Sequence, residues 1–315
     1  MFNSIVTAIG IYAIVCWLYE NLFASLLSIV WHTVRERTCG GKKRSLAERY
    51  GKWAVITGAT DGIGKGYAWH LARHGINLVL ISRTESKLKM VAKEIYDKFP
   101  VEIKWIAADF TDDCGIYPRI RKELQDLDIG ILVNNVGMAA DRLDPFESFS
   151  EGEHRTLLNV NILSTLWMSH MVLPWMKHAR RGIIVNVSSM CARSPAPHGA
   201  MYSATKGFVY SLTEAIQLEL RGTGVECQLV VPHFVRTNLI EDLDVSIFGK
   251  WFLPDGLQYG RWATFLIGKT GNTNGHWYHA LLVLLQRLVP LSIQKVIIGI
   301  VFNHFRDQMK TKLKS

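Results

Sequence analysis

Two residues in the run Met201–Lys206 have the types and the spacing for proton transfer. Tyr202 and Lys206 lie four positions apart, so they share one face of a helix. A phenol titrates far above neutral pH, and a fixed cation a few ångströms away favours its ionised form. The pair therefore predicts that Lys206 lowers the pKa of Tyr202 and makes it an acid that works near neutral pH. A chain with ten tyrosines meets this spacing by chance, so the motif needs support from its surroundings.

A glycine-rich segment, Thr57–Gly64, gives the first support. It follows a short apolar run and precedes a stretch with helical periodicity, so strand, turn and helix come in order. In such a turn Gly58 permits the sharp bend, Gly62 lets the backbone approach a pyrophosphate, and Gly64 brings helix and sheet together. The spacing Gly-x-x-x-Gly-x-Gly differs from the usual dinucleotide fingerprint, and a purely structural turn is the alternative.

Two further apolar runs end in polar side chains. One is followed by Asn135 and Gly137, and the other by Ser188 and Ser189. In an open parallel sheet, ligand-binding groups collect at the carboxyl ends of the strands. We therefore expect these residues at the same edge of the sheet as the glycine-rich segment.

Apolar runs with strand spacing alternate with helical stretches through the middle of the chain. The predicted strands cover 53–57, 76–82, 102–107, 129–134, 182–188 and 225–231, and the predicted helices cover 62–74, 84–98, 114–126, 150–178 and 201–221. The alternation predicts an α/β fold, a doubly wound Rossmann-type parallel sheet covered by helices on both faces. With 315 residues, 49% of them hydrophobic, the chain can build one large core, and we expect a single catalytic domain.

The two ends of the chain differ from this middle part. Residues 4–31 are mostly apolar, long enough to span a bilayer, and followed by basic residues that favour the cytosolic side. Glu20 interrupts the run, so a hairpin, two interfacial helices and a cleaved signal peptide remain alternatives to a single span. Residues 280–302 are apolar but contain polar residues and a proline, which predicts a membrane-surface helix or the wall of a substrate tunnel.

These features divide the chain into four predicted parts. They are a membrane anchor (1–34), a basic linker (35–50), a catalytic domain (51–275) that includes a lid (238–270), and an amphipathic, membrane-associated extension (276–315). The lid is predicted because its segment is rich in large apolar side chains, namely Phe248, Trp251, Phe252, Leu253, Trp262 and Phe265. Such a cover excludes water and holds a lipid, whereas ordinary core or membrane contact is the alternative.

Composition narrows the classes of function. The net charge of +9 suits an anionic membrane surface and an acidic cofactor, and we expect no nucleic-acid partner because no matching motif accompanies the charge. The five cysteines form no Cys-x-x-Cys pair, which indicates a reducing compartment without a disulfide framework. His276 and His279 have helical spacing, but no acidic residue or further ligand stands nearby, so we expect no metal site.

At this point the chain resembles the short-chain dehydrogenase/reductase family. Within it, the chain is most similar to the membrane-bound 17β-hydroxysteroid dehydrogenases of types 3 and 12, the latter also called very-long-chain 3-oxoacyl-CoA reductase. The likeness is strong over about residues 48–240, and it is carried by the phrases Trp-Ala-Val-Ile-Thr-Gly-Ala (53–59), Leu-Ile-Ser-Arg-Thr (80–84) and Ile-Leu-Val-Asn-Asn-Val-Gly-Met (131–138).

The resemblance implies a ketone reduction with four catalytic residues. Tyr202 would give a proton to the substrate carbonyl oxygen while the nicotinamide gives a hydride to its carbon. Lys206 would lower the pKa of Tyr202 and bind the nicotinamide ribose, and Ser189 would orient the carbonyl, with Ser188 as the fallback. Asn161 would hold a water that links Lys206 to solvent.

The resemblance and the position after the second strand together imply NADPH as the cofactor. Arg83 stands where an acidic residue would bind a free ribose hydroxyl and an arginine suits a 2′-phosphate. Asp109 is similar to the adenine-binding acid of the family, with a helix N-cap as the alternative. The expected cofactor-binding residues are Gly58, Thr60, Asp61, Gly62, Ile63, Gly64, Arg83, Asp109, Asn135, Gly137, Lys206, Val235 and Thr237.

Substrate, assembly and location follow from the resemblance as expectations. The substrate is a lipid-like ketone, either a 3-oxoacyl-CoA or a 17-ketosteroid, and the sequence does not choose between them. The protein is expected as a homodimer that pairs through helices 150–178 and 201–221, in the endoplasmic reticulum membrane with its catalytic domain facing the cytosol. His233 replaces the usual glycine and leaves the size of the substrate entrance open. The alternative function is a non-catalytic membrane protein that binds a dinucleotide.

Overall fold

The computed structural model describes residues 2–18, 24–38, 44–112, 115–238 and 253–312. Within these ranges the chain forms a seven-stranded sheet in which every pairing is parallel. Neighbouring residues of a strand point to opposite faces, so Ala54 and Ile56 enter one hydrophobic cluster while Trp53 and Val55 enter another. The sheet is thus buried on both sides, and the predicted Rossmann-type fold is confirmed.

The strand order is β3-β2-β1-β4-β5-β6-β7. The strands are β1 (Trp53–Thr57), β2 (Asn77–Ser82), β3 (Ile103–Ala107), β4 (Ile129–Asn134), β5 (Gly182–Val187), β6 (Val225–Val230) and β7 (Asn272–Thr273). The order reverses between β1 and β4, and at such a switch point a crevice opens beyond the strand ends. All the predicted strands are present, and the sequence did not reveal the short β7.

The helices that pack on this sheet also lie close to their predicted positions. They are α4 (Gly62–Arg73), α5 (Glu85–Tyr96), α6 (Ile116–Leu124), α7 (Glu151–Leu158), α8 (Ser164–Ala179), α9 (Ala200–Glu219) and α10 (Gly256–Phe265). The single helix predicted over 150–178 is interrupted by a π-helical turn, Asn159–Leu163, between α7 and α8. Turns of this kind re-aim side chains and occur often at functional sites.

The described residues of the N-terminal region form the helices α1 (Phe2–Leu18), α2 (Ala24–Thr38) and α3 (Leu46–Tyr50). Tyr50 is only 2% exposed and joins the core, so the packed domain reaches back beyond the predicted boundary at residue 51. In the described part of the chain, one helical stretch, Glu151–Ala179, has the length and hydropathy to cross a membrane, and it is the largely buried α7–α8 helix. Val6–Cys16 is a shorter apolar helix.

The C-terminal region forms α11 (Trp277–Arg287) and α12 (Leu291–Lys312), joined at Pro290. Both helices lie over the carboxyl edge of the sheet. Arg306 Nε and Lys310 Nζ each lie 3.5 Å from Asp144 Oδ1, which connects α12 to the loop after β4. A hydrogen bond of 2.9 Å between His198 and Asn303 adds a second tie.

Candidate active site

Tyr202 and Lys206 lie on the first turns of α9, as their spacing predicts. Lys206 is 5% exposed, and its Nζ donates to the Val187 carbonyl at 3.1 Å, at the end of β5. The ammonium stands 5.9 Å from the centre of the Tyr202 ring. Both side chains line one cavity, so the helix brings an acid and a cation to the same point.

The electrostatics of this pair differ from the prediction. Burial raises the pKa of Tyr202 above that of a free phenol, and a hydrogen bond with Ser189 acts in the opposite direction but is weaker. Burial also lowers the pKa of Lys206 to about 8. The net shift of the Tyr202 pKa is therefore opposite in direction to the predicted one, because desolvation of the phenolate outweighs the interactions that favour the ionised form. Tyr202 carries its proton at neutral pH and can donate it.

The two serines after β5 have separate roles. Ser188 is buried, and its hydroxyl donates to the Lys206 carbonyl at 2.7 Å, which fastens α9 to the strand end. Ser189 accepts from the Cys191 N–H at 3.2 Å, and its side chain lines the cavity. Both serines line the cavity, but the Ser188 hydroxyl already donates to Lys206, so the role of Ser189 toward a substrate carbonyl stays the prediction.

Asn161 lies in the π-helical turn and is 1% exposed. Its side-chain oxygen accepts from the Met138 N–H at 2.8 Å, and its amide donates to the Met138 carbonyl at 2.9 Å and to Thr205 at 3.0 Å. The side chain therefore joins the loop after β4 to α9. A side chain at Gly137 would stand 3.1 Å from Lys206 Nζ, which explains the glycine at this point.

The glycine-rich segment forms a tight cradle between β1 and α4. Gly58 and Gly62 adopt positive φ angles of 63° and 51°, which side-chain-bearing residues rarely adopt. Asn135 supports the cradle, since its amide donates to the carbonyls of Thr57 and Gly58 at 3.0 and 3.2 Å. A Cβ at Gly64 would stand 2.9 Å from the Gly58 carbonyl carbon, so the first turn of α4 lies directly against the loop.

Side chains of the cradle also make contacts of their own. The Thr60 hydroxyl lies 3.0 Å from that of Ser82 at the end of β2. Asp61 occupies the N-cap position of α4 and accepts from the Asn238 N–H at 3.0 Å. The predicted residues Thr60, Asp61 and Ile63 all line the cavity. Backbone amides at this helix start form the kind of site that binds a phosphate.

Arg83 and Asp109 lie at the ends of β2 and β3. The Arg83 side chain is 72% exposed, and its Nε is 4.0 Å from Asp109 Oδ2. Asp109 accepts from the N–H and the hydroxyl of Thr111 at 3.0 and 2.9 Å, so it closes a local turn and does not cap a helix. Arg83 is a cation at the cavity edge with most of its guanidinium open to solvent, which suits a phosphate.

The loop after β6 is held by contacts at three points. One of the contacting residues is His279, which the sequence singled out only as half of a doubtful metal pair. His279 of α11 accepts from the His233 N–H at Nδ1, 3.3 Å, and its Nε2 lies 3.1 Å from the Phe234 carbonyl. Arg236 N–H donates to the Pro254 carbonyl at 3.0 Å, and Asp61 holds the far end of the loop. These contacts place Val235 and Thr237 beside the cradle, where both line the cavity.

The histidines of this region are neutral. Burial lowers the pKa of His233 to about 4 and the pKa of His279 well below its ordinary value. An uncharged His279 can accept one hydrogen bond and donate another, as its two contacts require. In the described part of the chain no three His, Cys, Asp or Glu side chains gather in a way that would hold a metal ion.

We expect acid to destabilise the fold through these two imidazoles. Their pKa values are lower in the folded chain than in the unfolded chain, so the unfolded chain binds more protons below pH 6.5. The free energy of unfolding should fall from pH 6.5 towards 4, by about 1.4 kcal/mol per pH unit for each buried imidazole. Urea denaturation at several pH values measures the slope.

Matched variants test whether His279 contributes to this loss of stability in acid. His279→Asn should reduce the slope by about one proton, whereas the same substitution at the exposed His178 is the control. Equal slopes in both variants would contradict the assignment to His279.

One continuous cavity of about 1200 Å³ runs along the carboxyl edge of the sheet. Its near end is lined by the cradle, Arg83 and Asp109, and Tyr202 and Ser189 lie along its middle. Its far wall is largely apolar and comes from α11 and α12, through Leu282, Val289, Ile298, Val301 and Phe302. This volume exceeds an ordinary ligand pocket and suits a dinucleotide together with a second molecule.

The described residues test only part of the predicted lid. Trp262 and Phe265 lie on α10 and pack with Ile29 of α2 and Ala280 of α11, away from the cavity. Phe248, Trp251 and Phe252 lie outside the described residues, and Leu253 lines the cavity. Part of residues 280–302 lines the cavity, as the tunnel-wall alternative expects.

The residues around the near end of the cavity fit a phosphorylated dinucleotide. A glycine cradle without Cβ atoms stands at the start of α4, at the switch point of the sheet, and an exposed arginine stands at the end of the neighbouring strand. Beside them lies a tyrosine that holds its proton. Fold and site together define a dinucleotide-dependent oxidoreductase.

Comparison with known sequences identifies the family. The sequence model described as short chain dehydrogenase matches residues 52–245, more than half of the chain. The chain belongs to the short-chain dehydrogenase family. It is an oxidoreductase that acts on CH–OH and C=O groups, and its cofactor is NADP(H).

Three relatives have sequences similar to most of this chain. Human inactive hydroxysteroid dehydrogenase-like protein 1 is 39% identical over 250 residues, 79% of this chain and 76% of that protein. Rat 17-beta-hydroxysteroid dehydrogenase type 3 is 36% identical over 282 residues, 88% of this chain and 90% of that protein. Human very-long-chain 3-oxoacyl-CoA reductase is 40% identical over 244 residues, 77% of each.

Solved structures agree with the fold. A 7beta-hydroxysteroid dehydrogenase aligns with a TM-score of 0.73 and 26% identity, over 81% of this chain and 99% of that one. A short-chain dehydrogenase from Sphingobium yanoikuyae in complex with NADPH aligns with a TM-score of 0.64 and 28% identity, over 70% of this chain and 86% of that one.

Proposed function

We propose that this protein reduces a lipid-like ketone to the hydroxyl with NADPH. The supporting observation is one cavity of about 1200 Å³ that joins a dinucleotide cradle to an apolar chamber, with Tyr202 between them. NADPH supplies the hydride when it is bound. The protein supplies a proton donor, an apolar wall that excludes water, and groups that hold the carbonyl in place.

Tyr202 is the proton donor in this proposal. Its proton passes to the carbonyl oxygen as negative charge develops there, and Ser189 donates a second hydrogen bond to the same oxygen. Lys206, 5.9 Å from the Tyr202 ring, stabilises the phenolate that remains. Asn161 holds the loop after β4 against α9, so it keeps this geometry fixed through its contacts with Met138 and Thr205.

Arg83 sets the preference for NADPH over NADH. Arg83→Ala should raise the KM for NADPH by about 10- to 100-fold, because a charge-assisted hydrogen bond is lost, and should leave the KM for NADH nearly unchanged. Steady-state kinetics with both cofactors measures the difference. Arg73→Ala, an exposed arginine at the end of α4, is the control, and equal changes for both cofactors in Arg83→Ala would contradict the role.

Two ketones are candidates for the substrate. A 3-oxoacyl-CoA is proposed from the likeness to very-long-chain 3-oxoacyl-CoA reductase, and a 17-ketosteroid from the likeness to 17-beta-hydroxysteroid dehydrogenase type 3. The test is NADPH oxidation by the full chain in detergent, with each ketone offered separately. Consumption that depends on Tyr202 supports the reaction and selects the substrate class, whereas no consumption of any lipid ketone overturns it.

A non-catalytic function is the second candidate. It is favoured by the 39% identity to a relative that is named as inactive. Against it, Tyr202, Lys206, Ser189 and Asn161 are all present and lie together. Binding of NADPH measured by fluorescence, without turnover of either ketone, would decide for this candidate.

The proposed location is the endoplasmic reticulum membrane, with residues 1–34 as the anchor and the catalytic domain in the cytosol. The exposed apolar helix Val6–Cys16 supports an anchor of this kind. Retention of the chain in the membrane fraction at alkaline pH, with the domain open to added protease in sealed microsomes, would agree with it. Release at alkaline pH would contradict it.

We also propose a homodimer that pairs through α7, α8 and α9. Trp167, Phe208 and Leu218 on α8 and α9 are 37–59% exposed, so these helices offer apolar area that a second chain could cover. Light scattering of the detergent complex should give two chains per particle, and Phe208→Lys should reduce it to one. A single chain in the parent protein would contradict the dimer.

A further inference from the structure

We propose that the elbow between α11 and α12 inserts into the lipid bilayer, and that the cavity takes up its ketone directly from the hydrocarbon through this elbow. The elbow surface is defined by seven apolar side chains, Leu285, Leu288, Leu291, Ile293, Val296, Ile297 and Ile300. The insertion itself does not depend on the reaction. The uptake of a ketone rests on the proposed function.

The elbow surface is a contiguous patch and not a set of scattered residues. Its seven side chains are 49–64% exposed within a stretch of 16 residues. On α12, Ile293, Val296, Ile297 and Ile300 follow the i, i+3, i+4, i+7 spacing of a single helix face. Large exposed patches of this kind mark sites of contact with a protein or a membrane.

The other face of α12 is the wall of the cavity. Gln294, Ile298, Val301, Phe302 and Met309 line the cavity from this side. Ile297 belongs to both faces, because it lines the cavity and is also 49% exposed. The first turns of α12 therefore carry apolar side chains on both the cavity face and the outer face. On this side, among the described residues, α12 alone separates the cavity from the surface of the protein.

The charge around the elbow fits an anionic lipid surface. Between Asp255 and Asp307 the chain contains no acidic residue. The basic residues in this interval are Arg261, Lys269, Arg287, Lys295 and Arg306. Lys295 is exposed on the first turns of α12, and its long side chain can reach the headgroups while the apolar side chains of the elbow surface enter the hydrocarbon.

The same charge argues against a second copy of this chain as the occupant. Symmetric pairing of two elbows would bring like charges together at Lys295, without an acidic residue of either α11 or α12 before Asp307 to offset them. A bilayer has no such conflict, because its anionic headgroups supply the opposite charge.

A neighbouring helix extends the apolar surface. Ile29 of α2 packs with Ala280 of α11 and Leu266, so α2 lies alongside α11. On its outer side α2 exposes Leu27, Val30, Trp31 and Val34, which are 45–64% exposed. Trp31 is of the residue type that prefers the membrane interface. Two adjacent elements thus expose apolar side chains without a covering layer of protein in the described residues.

Photo-crosslinking tests the insertion without reference to catalysis. The full chain carries photoreactive p-benzoylphenylalanine in place of Val296, and it is reconstituted into vesicles of phosphatidylcholine and phosphatidylserine. The control carries it in place of Met90, which is 66% exposed on α5. Mass spectrometry should find lipid adducts at position 296 and not at position 90. No lipid adduct at 296, or a crosslink there to a second copy of the chain, overturns the proposal.

A kinetic comparison tests the uptake. Ile293→Glu with Ile300→Glu places carboxylates on the elbow surface, and Met90→Glu with Tyr96→Glu places them on α5 as the control. In the same vesicles, the elbow variant should lose at least about tenfold in kcat/KM for a membrane-dissolved ketone, since charge is strongly disfavoured in hydrocarbon. A short water-soluble ketone should be reduced at the parent rate. Equal losses for both ketones overturn the uptake step.

The two tests separate the possible failures. If no ketone is reduced by the parent chain, the proposed function fails, while lipid adducts at position 296 still support the insertion. If ketones are reduced but position 296 gives no lipid adduct, the elbow proposal fails and the function stands.

Discussion

Tyr202→Phe should lower the rate of ketone reduction by about 10²- to 10⁴-fold, the range typical for loss of a general acid. The substitution removes one hydroxyl and keeps the ring, so the walls of the cavity and the cradle stay in place. The dissociation constant for NADPH should therefore change by less than about twofold. Stopped-flow kinetics and NADPH fluorescence on the same preparation measure both quantities.

The control for this variant is a phenol outside the cavity. Tyr96 is 67% exposed at the end of α5, and Tyr96→Phe should retain the parent rate. Undiminished turnover in Tyr202→Phe would refute the assignment of the proton donor. A large loss of NADPH affinity in that variant would mean that Tyr202 acts through the cofactor site instead.

Lys206→Met should lower kcat about 100-fold. At 5.9 Å from the Tyr202 ring, a unit charge contributes about 3 kcal/mol to the phenolate formed in the reaction, for an effective dielectric constant of 20. Methionine keeps the length of the side chain and removes only the charge and the bond to the Val187 carbonyl. Steady-state kinetics at saturating ketone gives the comparison.

The pH profile tests the same cation independently. Burial lowers the pKa of Lys206 to about 8, so the stabilising charge is present below pH 8 and disappears as the pH rises above it. The kcat/KM of the parent chain should decline above about pH 8, and Lys206→Met should lack that decline. A parent profile that is flat up to pH 10, or a decline that persists in the variant, would contradict the role of Lys206.

The local motifs were predictable from sequence because they depend on short spacings. Strands β1 and β4 have the predicted bounds, since continuous apolar runs flanked by turn residues define them. Tyr202 and Lys206 share a cavity because helix geometry alone brings positions i and i+4 together. The cradle followed from strand, glycine turn and helix in order.

The features that escaped prediction depend on distant contacts. The π-helical turn at Asn161 is fixed by Met138 and Thr205, which no periodicity reveals. His279 contacts a loop 46 residues away, and its spacing from His276 indicated only a doubtful metal pair. The direction of the Tyr202 pKa shift depends on how completely the fold buries the phenol, and spacing carries no such information.

The predicted lid is another feature that depends on contacts between distant parts of the sequence. Aromatic content predicted a cover over the substrate, but it does not identify the residues that Trp262 packs against. The partner of Trp262 is Ile29 of α2, far away in the sequence. In the described residues α12 forms part of the cavity wall, and its apolar residues were predicted either as a membrane helix or as a tunnel wall. The two alternatives correspond to its two faces.

The contact of His279 links α11 to the loop after β6. Without this contact, the two segments could accept substitutions independently of each other. One imidazole on α11 binds the backbone of His233 and Phe234, so the helix that shapes the substrate chamber also sets the position of Val235 and Thr237 beside the cradle. Exchange of the C-terminal helices between relatives should therefore transfer a new substrate range only when residues 232–237 are exchanged with them. Substitutions in the two segments are therefore coupled, although about 40 residues of chain separate them.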